Sequence, residues 1–159
     1  YTLTDLKHLD LYDTGFSGTI STRIGELNLN ELFLGNNKFT GTLPTELGKL
    51  TECWSFDLYK NQFSGTIPSE IGRLSWLGSM DLSTNELTGT IPSELFLITS
   101  NDIWWFGLAK NRLNGTVPTE IGRLLRAHGE VELDHNRLTG KIPTELGRLT
   151  GLAKYLNID

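Results

Sequence analysis

The 159-residue sequence predicts an α/β solenoid in which each turn adds one short strand to a parallel sheet. The first observation is a unit, clearest at 82–95, that recurs with a period of 23 to 26 residues. The second is a pair of apolar residues separated by one residue in every unit, which is the alternation of a short strand. The third is a glycine followed by a proline at fixed offsets. Units that repeat in this way bury their apolar faces by stacking on one another.

A polar position follows each apolar pair and marks the period. Five of its six occurrences are asparagine, and Thr14 takes the place in the first unit. An amide side chain offers two donors and an acceptor, so it can satisfy buried backbone groups of neighbouring turns. We therefore expect a structural ladder of Asn37, Asn61, Asn85, Asn111 and Asn136.

The remainder of each unit predicts a turn, a second extended piece and a helical turn. A representative stretch is Gly89-Thr90-Ile91-Pro92. Glycine permits a backbone turn that other residues resist, and proline ends the extended piece because it lacks an N–H and fixes φ. Ser93 and Glu94 follow, and an early proline with an acidic residue in the first turn favours the start of a helix.

The full pattern, Leu-x-x-Leu-x-Leu-x-x-Asn-x-Leu-x-Gly-x-Ile-Pro, is seen at 58–82 and 77–98 and resembles the plant-type leucine-rich repeat. The resemblance implies a right-handed superhelix with a concave parallel sheet, a short second sheet built by the Gly-x-Ile-Pro segments, and helical turns on the convex side. Similar repeats form receptor-kinase ectodomains and polygalacturonase-inhibiting proteins. Those families often carry cysteine-paired caps, whereas Cys53 is the only cysteine here. We interpret residues 1–159 as a single domain of about six to seven repeats and as a segment of a longer chain.

Composition argues against several functions. The formal charge of -5 disfavours a nucleic-acid-binding surface, which concentrates lysine and arginine. No run of about 18 apolar residues is present, so we expect no transmembrane segment in this chain. The three histidines lie at no ligand spacing, and no nucleophile and base can be grouped, so we expect no metal, no cofactor and no catalysis. The expected partner is a protein, and the expected location is extracellular, at the cell surface or in an organelle lumen.

Departures from the repeat mark the expected binding surface. Phe96 and Leu97 replace the Gly-Arg of other turns, which predicts an exposed apolar patch with local repacking as the alternative. Two extra residues follow, so 99–102 is expected to bulge as a loop beside Trp104 and Trp105. Aromatic residues dominate interface hot spots, although tryptophan could equally fill space under such a loop.

Residues in the middle of the apolar pairs should point into the concavity. Several are acidic, and a stacked row of carboxylates could attract a cation or a basic partner. Together with the irregular turns they predict a recognition surface on the concave face. The candidate partner-binding residues are Trp54, Asp57, Tyr59, Asp81, Ser83, Phe96, Leu97, Trp104, Trp105, Lys110, Glu132 and Asp134.

Two other functions remain open at this point. One is inhibition of a cell-wall-degrading enzyme, which the resemblance implies as a form of protein binding. The other is ice binding or a structural role by a hydroxyl-x-hydroxyl row on one flank, although such a row is also ordinary for a β-strand and the unequal turn lengths count against the regularity that ice requires. The row comprises Ser17/Thr19, Thr40/Thr42, Ser64/Thr66, Thr88/Thr90, Asn114/Thr116 and Thr139/Lys141.

Asn114 also begins an acceptor sequence for N-glycosylation.

Overall fold

The computed structural model describes residues 3, 5–98, 103–124, 129–148 and 155–157. Within these ranges the chain winds into a solenoid whose strands and 3-10 helices alternate. In chain order the strands are β1 (His8–Asp10), β2 (Ser17–Gly18), β3 (Glu31–Phe33), β4 (Lys38–Thr42), β5 (Ser55–Asp57), β6 (Gln62–Thr66), β7 (Ser79–Asp81), β8 (Glu86–Thr88), β9 (Trp105–Gly107), β10 (Asn114–Gly115), β11 (Glu130–Glu132), β12 (Arg137–Leu138) and β13 (Tyr155–Asn157). The 3-10 helices are η1 (Thr22–Glu26), η2 (Thr45–Lys49), η3 (Ser69–Arg73), η4 (Ser93–Leu97), η5 (Thr119–Arg123) and η6 (Thr144–Arg148). The loop predicted at 99–102 lies outside the described residues.

One long parallel sheet runs through the solenoid. Its order, β1-β3-β5-β7-β9-β11-β13, is also the order of the strands in the chain. The pairing is in register, so that Leu32 lies beside Phe56 and Phe56 beside Met80. These central residues are fully buried, and because side chains alternate along a strand, their flanking residues face the open side of the sheet. We call this open side the concave face.

A separate set of strands forms a second flank. β2, β4, β6 and β8 make a four-stranded parallel sheet, β10 and β12 make a two-stranded one, and a bridge from Thr90 to Asn114 joins them. The predicted Gly-x-Ile-Pro segments contribute their first half to this flank: β4 includes Gly41 and Thr42 and ends before the apolar residue and the proline. Leu43 is buried in the core instead, and Pro44 cannot donate to a ladder and stands at the start of the next helix.

The helical turns are 3-10 helices, and all but η1, which follows Ser21, begin one residue after a proline. Pro44, Pro68, Pro92 and Pro118 occupy the N-cap position, and a glutamate lies in the first turn of each of these helices. Negative charge at this end is favourable because the first N–H groups of a helix have no partner within it. The stacked helices form the convex side. No helix in the described ranges is long and apolar enough to cross a membrane.

Phe96 lies in the core, so its predicted exposure is wrong. Its side chain is 1% exposed and packs on Phe106, with ring centroids 5.4 Å apart. The glycine at the equivalent place one turn earlier explains why: a Cβ on Gly72 would lie 2.3 Å from the backbone oxygen of Glu94. A side chain at this position therefore points between turns and not to solvent. Leu97, the next residue, is 42% exposed on the convex side.

Asparagine side chains bind the turns together inside the solenoid. The Nδ2 group of Asn85 donates to the carbonyl oxygens of Leu58, Leu82 and Ser83 at 3.0, 3.1 and 3.3 Å. Its Oδ1 accepts from the N–H of Phe63 at 3.0 Å. One side chain therefore links its own turn to the turn before it. Asn61 and Asn111 make the equivalent four hydrogen bonds.

The asparagine side chains at the two ends of the ladder are more exposed than those in the middle. Asn37 and Asn136 make similar bonds but are only half-buried. In the first turn Thr14 replaces asparagine, and its hydroxyl donates to the carbonyl of Leu11 in the same turn at 2.6 Å. A hydroxyl has one donor where an amide has two, so the first turn is less firmly bonded than those in the middle.

Candidate functional site

A groove with a volume of about 470 Å³ crosses the concave face near the C-terminal ends of its strands. It is lined from Tyr12 in the first turn to Asp134 in the sixth. Most of its lining comes from two repeated positions, the last residue of each concave strand and the residue two places later. We call it the concave groove.

Aspartate is the last residue of both β5 and β7. Asp57 Oδ1 accepts a hydrogen bond from the N–H of Tyr59 at 2.7 Å, and Asp81 Oδ1 accepts one from the N–H of Ser83 at 2.8 Å. A short side chain that bonds to the backbone two residues on is a common turn device. Each aspartate therefore fixes the exit from its strand as well as placing a carboxylate in the groove.

Residues with a left-handed backbone conformation border the groove. Thr84 and Lys110 have φ values of 59° and 53°, and a residue with the same conformation precedes the ladder position in every turn. This conformation is uncommon outside glycine and costs about 1–2 kcal/mol. It turns the chain so that the following Asn85 or Asn111 enters the interior while the groove residues stay outside.

Polar side-chain atoms lie close over Gly107, the last residue of β9. A Cβ there would lie 2.6 Å from Asp81 Oδ1, 2.7 Å from Ser83 Oγ and 2.9 Å from Trp105 Nε1. Three polar atoms thus converge on the space that a side chain would fill. Trp105 Nε1 donates to Asp81 Oδ2 at 3.0 Å, which holds the indole against the neighbouring strand.

Asp57 is the groove carboxylate whose acidity is most clearly altered. Burial raises the pKa of Asp57 to about 6, and repulsion from neighbouring aspartates acts in the same direction, while the N–H of Tyr59 opposes the shift. Tyr12 contributes to the burial: a Cβ on Gly35 would lie 2.8 Å from Asp57 Oδ1 and 2.9 Å from the Tyr12 ring. The ring therefore reaches across the glycine towards the carboxylate.

The far end of the groove is also acidic. Burial raises the pKa of Glu132, with repulsion by Asp134 as the next cause and Lys110 acting in the opposite direction. Asp134 is 6% exposed, and its Oδ2 lies 2.6 Å from Nδ1 of His135. Among the described residues, no lysine or arginine forms an ion pair with a groove carboxylate, and no group of three or more His, Cys, Asp or Glu could hold a metal ion.

Two buried polar atoms beside the groove have no hydrogen-bond partner in the part of the chain that the structure describes. They are Ser83 Oγ and Asp134 Oδ1, on residues 4% and 6% exposed. An unpaired buried polar atom costs about 1–3 kcal/mol, so most such atoms in proteins are bonded. Both of these lie at one site, which marks the groove as different from the fully bonded ladder.

The structure gathers most of the predicted partner-binding residues at this site. Phe96 is in the core and Leu97 is on the convex side. Eight of the twelve candidates line the concave groove: Asp57, Tyr59, Asp81, Ser83, Trp105, Lys110, Glu132 and Asp134. Their role in binding stays a prediction.

Trp54 and Trp104 lie apart from the groove, just before the N-terminal ends of their strands. They are 41% and 52% exposed. Gly78 stands between them in the stack, since its N–H donates to the carbonyl of Trp54 and its carbonyl accepts from the N–H of Trp104, both at 2.8 Å. Two indoles therefore project from the turns on either side of a glycine. We call Trp54, Gly78 and Trp104 the tryptophan rim.

Sequence reasoning missed three groove residues and one exposed aromatic. Tyr12 and Ala109 occupy the same place in their repeats as Tyr59 and Ser83, and Thr84 the same place as Lys110, so alignment of the units could have found them. Trp76 is 66% exposed in the turn after η3, where the repeat pattern sets no residue type.

The hydroxyl row on the second flank is more regular than its turn lengths suggest. The threonine at the second position of each pair packs on the glycine of the next turn, and a Cβ on Gly65 would lie 2.8 Å from Thr42 Cγ2. The two extra residues of the fourth-to-fifth turn lie outside this flank, so the unequal turn lengths do not change the pairing of its strands. The register is the same at three junctions: Thr42 beside Ser64, Thr66 beside Thr88 and Thr90 beside Asn114.

Asn114 itself is exposed at the start of β10. Its backbone bridges Thr90 of the turn before it. The side chain is accessible, and its glycosylation stays a prediction.

Comparison with known proteins agrees with this architecture. A family model described as Leucine Rich Repeat matches residues 28–50, 54–74 and 130–149. Among solved structures, the chain is similar to the plant peptide hormone receptor RGFR1 in complex with RGF2, with 33% identity over 94% of this chain and a TM-score of 0.90. The chain spans only 24% of the length of that receptor chain. No curated protein matches the chain.

Two further similar structures bear on function. One is a chain of the BIR3–SERK2 complex from Arabidopsis thaliana, with 30% identity over 85% of this chain and 70% of that chain, and a TM-score of 0.73. The other is a plant ice-binding protein, with 30% identity over 83% of this chain and 42% of that chain, and a TM-score of 0.76.

Proposed function

The chain belongs to the plant-type leucine-rich-repeat family, and from that premise we propose that it is a non-enzymatic binding module that holds a protein or peptide in its concave groove. The printed descriptions of similar proteins support a polypeptide partner: RGFR1 is in complex with RGF2, and BIR3 with SERK2. Similarity to plant receptor ectodomains also supports an extracellular location.

The observation that carries the proposal is the clustering of unpaired polar atoms in an open groove. Ser83 Oγ and Asp134 Oδ1 lack partners within the described chain, and both residues line the concave groove. Elsewhere in the interior, buried polar groups such as Asn85 are fully bonded. A partner that supplies donors at the groove recovers free energy that the isolated chain does not.

Aromatic side chains add the apolar component of the proposed site. Tyr12, Tyr59 and Trp105 line the concave groove and supply large surfaces with polar ends. Tyrosine and tryptophan are the residues most enriched among interface hot spots. The groove therefore combines polar and aromatic contacts within about 470 Å³, which suits a few residues of an extended peptide.

Selection from a displayed library of random peptides tests the proposal. We expect the selected peptides to bind the wild-type protein and to lose about tenfold or more in affinity with Tyr59→Ala in the groove. Leu97→Ala on the convex side is the matched control, because Leu97 is as accessible as a groove residue but distant from the site. Thermal unfolding verifies that both variants are folded.

The outcome is decisive in either direction. Peptides that lose affinity only with the groove variant support the proposal. If all selected peptides tolerate Tyr59→Ala and respond to changes on the convex side or the second flank, the concave groove is not the binding site.

The tryptophan rim is proposed to extend the same binding surface. Trp54 and Trp104 are exposed and flank Gly78, so a partner that leaves the groove along the strands meets two aromatic faces. Trp104→Ala should weaken binding of the selected peptides by about threefold to tenfold without changing stability. Unchanged affinity would confine the site to the groove. Inhibition of polygalacturonase would test the related proposal that the partner is a cell-wall-degrading enzyme.

Ice binding is the second candidate function. The second flank supports it, because the threonine row keeps one register across turns of unequal length. The chain is also similar to a plant ice-binding protein at 30% identity. Flat, regularly spaced hydroxyl groups about 4.8 Å apart could order water.

Thermal hysteresis of the purified protein tests this second function. If the flank binds ice, millimolar protein should depress the freezing point below the melting point, and Thr66→Lys should abolish the effect while Tyr59→Ala leaves it unchanged. Absence of hysteresis in the wild-type protein would eliminate ice binding and leave the groove proposal untouched.

A further inference from the structure

We infer that the concave groove is an arginine-binding site, so that the proposed partner inserts an arginine side chain between Glu132, Asp134 and Ser83. The inference rests on the proposed function, which it makes more specific by naming the chemistry of the partner. Its basis is the charge, the unpaired atoms and the aromatic lining of the groove.

Charge is the first argument. The groove has four carboxylates, Asp57, Asp81, Glu132 and Asp134, and a single amine, Lys110. Within the described residues, neither Lys110 nor any other lysine or arginine forms an ion pair with them. The surplus negative charge inside a concave surface attracts a cationic group and repels an acidic one.

Unpaired atoms are the second argument and do not depend on the charge. Asp134 uses Oδ2 for His135 and leaves Oδ1 without a donor, on a residue that is 6% exposed. Ser83 Oγ is likewise unpaired on a residue that is 4% exposed. One acceptor belongs to a carboxylate and the other to a hydroxyl, so a group with several donors in a fixed arrangement can satisfy both.

Guanidinium fits these features better than the other cations. It presents five N–H donors in a planar fork, binds carboxylates through two parallel hydrogen bonds and stacks on aromatic rings, and Trp105 and Tyr59 line the groove. An ammonium group offers three donors and no plane. A metal ion is disfavoured because the described residues contain no group of three or more ligands suited to one.

Two small residues of the fifth turn keep side-chain bulk out of the groove. Gly107 and Ala109 occupy positions that carry aspartate and tyrosine or serine in other turns. At Gly107 the nearest atoms to a missing Cβ are polar: Asp81 Oδ1, Ser83 Oγ and Trp105 Nε1. A Cβ there would lie within 3.0 Å of all three atoms, so the lack of a side chain lets Asp81, Ser83 and Trp105 close over β9 and form the floor of the groove.

The probe is a synthetic peptide, acetyl-Gly-Gly-Arg-Gly-Gly-amide, titrated into isotopically labelled protein and followed by amide chemical shifts. Matched peptides carry lysine or citrulline, the neutral isostere of arginine. We expect the arginine peptide to bind with a Kd of about 1 mM and at least about tenfold more tightly than either matched peptide. The largest shifts should fall at Ser83, Lys110 and Asp134.

Conservative variants locate the site. Asp134→Asn and Glu132→Gln each remove one charge with little change in shape, and each should weaken binding of the arginine peptide by about tenfold. Glu120→Gln on η5 is the control, because it makes the same change on the convex side. It should leave affinity unchanged. Two groove variants are used so that misfolding of the more buried Asp134 variant cannot decide the result.

Three results would overturn the inference. The first is equal binding of the arginine and citrulline peptides, or no binding of the arginine peptide at about 10 mM. The second is equal weakening by Glu120→Gln. The third is displacement of the arginine peptide by calcium chloride with the same shifts, which would make the groove a metal site.

Failure of the inference is distinguishable from failure of the proposed function. If library-selected peptides bind at the groove but carry no arginine and tolerate Glu132→Gln, the groove binds a partner by other contacts. If selected peptides also ignore Tyr59→Ala, the groove itself is not a binding site.

Discussion

The interior of the solenoid and its concave groove are built by the same repeat, yet the interior asparagines are fully hydrogen-bonded whereas two buried polar atoms of the groove are unpaired. Inside, Asn85 makes four hydrogen bonds that connect two turns. In the groove, Ser83 and Asp134 hold unpaired atoms, and burial raises the pKa of Asp57 to about 6. The interior is arranged for the stability of the chain alone, whereas the groove retains unfavourable features that a partner could relieve. Changes inside should therefore reduce stability, and changes in the groove should reduce binding while leaving stability equal or higher.

Phe96→Ala is expected to have the largest effect on stability. The ring is 1% exposed and packs on Phe106, and loss of a buried phenylalanine costs about 3–5 kcal/mol because a cavity remains. Leu97→Ala, one residue later and 42% exposed, should change the free energy of unfolding by less than about 0.5 kcal/mol. Urea unfolding of the two variants measures the difference. Equal losses would mean that residue 96 is not in the interior.

Asn85→Leu is expected to have the second largest effect on stability. The change removes three donated hydrogen bonds and leaves the buried N–H of Phe63 without an acceptor, which together should cost about 3 kcal/mol. The same change at the half-buried Asn136 should cost about half as much, since water can reach the freed groups more easily. Urea unfolding compares the two. A loss of stability at Asn85 no larger than that at Asn136 would show that burial does not determine how much each ladder asparagine stabilises the fold.

Gly65→Ala tests the packing between turns on the second flank. Its φ is 75° and a Cβ would lie 2.8 Å from Thr42 Cγ2, so strain and a close contact should together cost about 2 kcal/mol. Gly15 has the same φ with no atom near its Cβ position, so Gly15→Ala should cost only about 1 kcal/mol. The difference in thermal midpoints isolates the contact. Equal midpoints would show that the contact with Thr42 adds nothing to the cost of backbone strain.

Asp57→Asn is the smallest predicted effect and has the opposite sign. The pKa of Asp57 is about 6 in the folded protein against 3.8 for an ordinary aspartate, so its charged form is disfavoured by folding. The associated stability is present below pH 4 and is lost as the pH rises through 6. Asparagine does not titrate and can still accept from the N–H of Tyr59, so the variant should gain stability relative to wild type across this interval.

Solvent screening limits the size of this gain. The full shift corresponds to about 3 kcal/mol, but Asp57 is partly exposed, so we expect about 1 kcal/mol at pH 7 and none at pH 4. Unfolding midpoints measured at both values provide the test. A variant that is less stable than wild type at pH 7 would show that the charged carboxylate of Asp57 stabilises the fold.

Sequence reasoning succeeded where one residue type has one physical task in every turn. The strands follow from apolar pairs such as Leu32 and Leu34, and the starts of η2 to η5 follow from their prolines. These features depend on local chemistry and repeat six times, so no long-range information is needed. The parallel order of the sheet then follows from stacking.

The failures concern the direction of side chains between turns. Phe96 was expected at the surface because it breaks the pattern, but the glycines at the same position lie against the backbone of the next turn. That geometry is absent from a one-dimensional pattern. Ser83 was predicted as a groove residue, yet its unpaired hydroxyl depends on Gly107 one turn later and could not be seen in its own unit.

The most direct test of the central claim maps where a partner binds. A peptide from the displayed library, titrated into labelled protein, should shift the amides of Tyr59, Ser83, Lys110 and Asp134 and leave those of Thr42, Thr66 and Thr90 unchanged. That result would assign recognition to the groove, with its unpaired polar atoms, and not to the rows that stabilise the solenoid. Shifts confined to the threonine row or to η2–η5 would contradict the account.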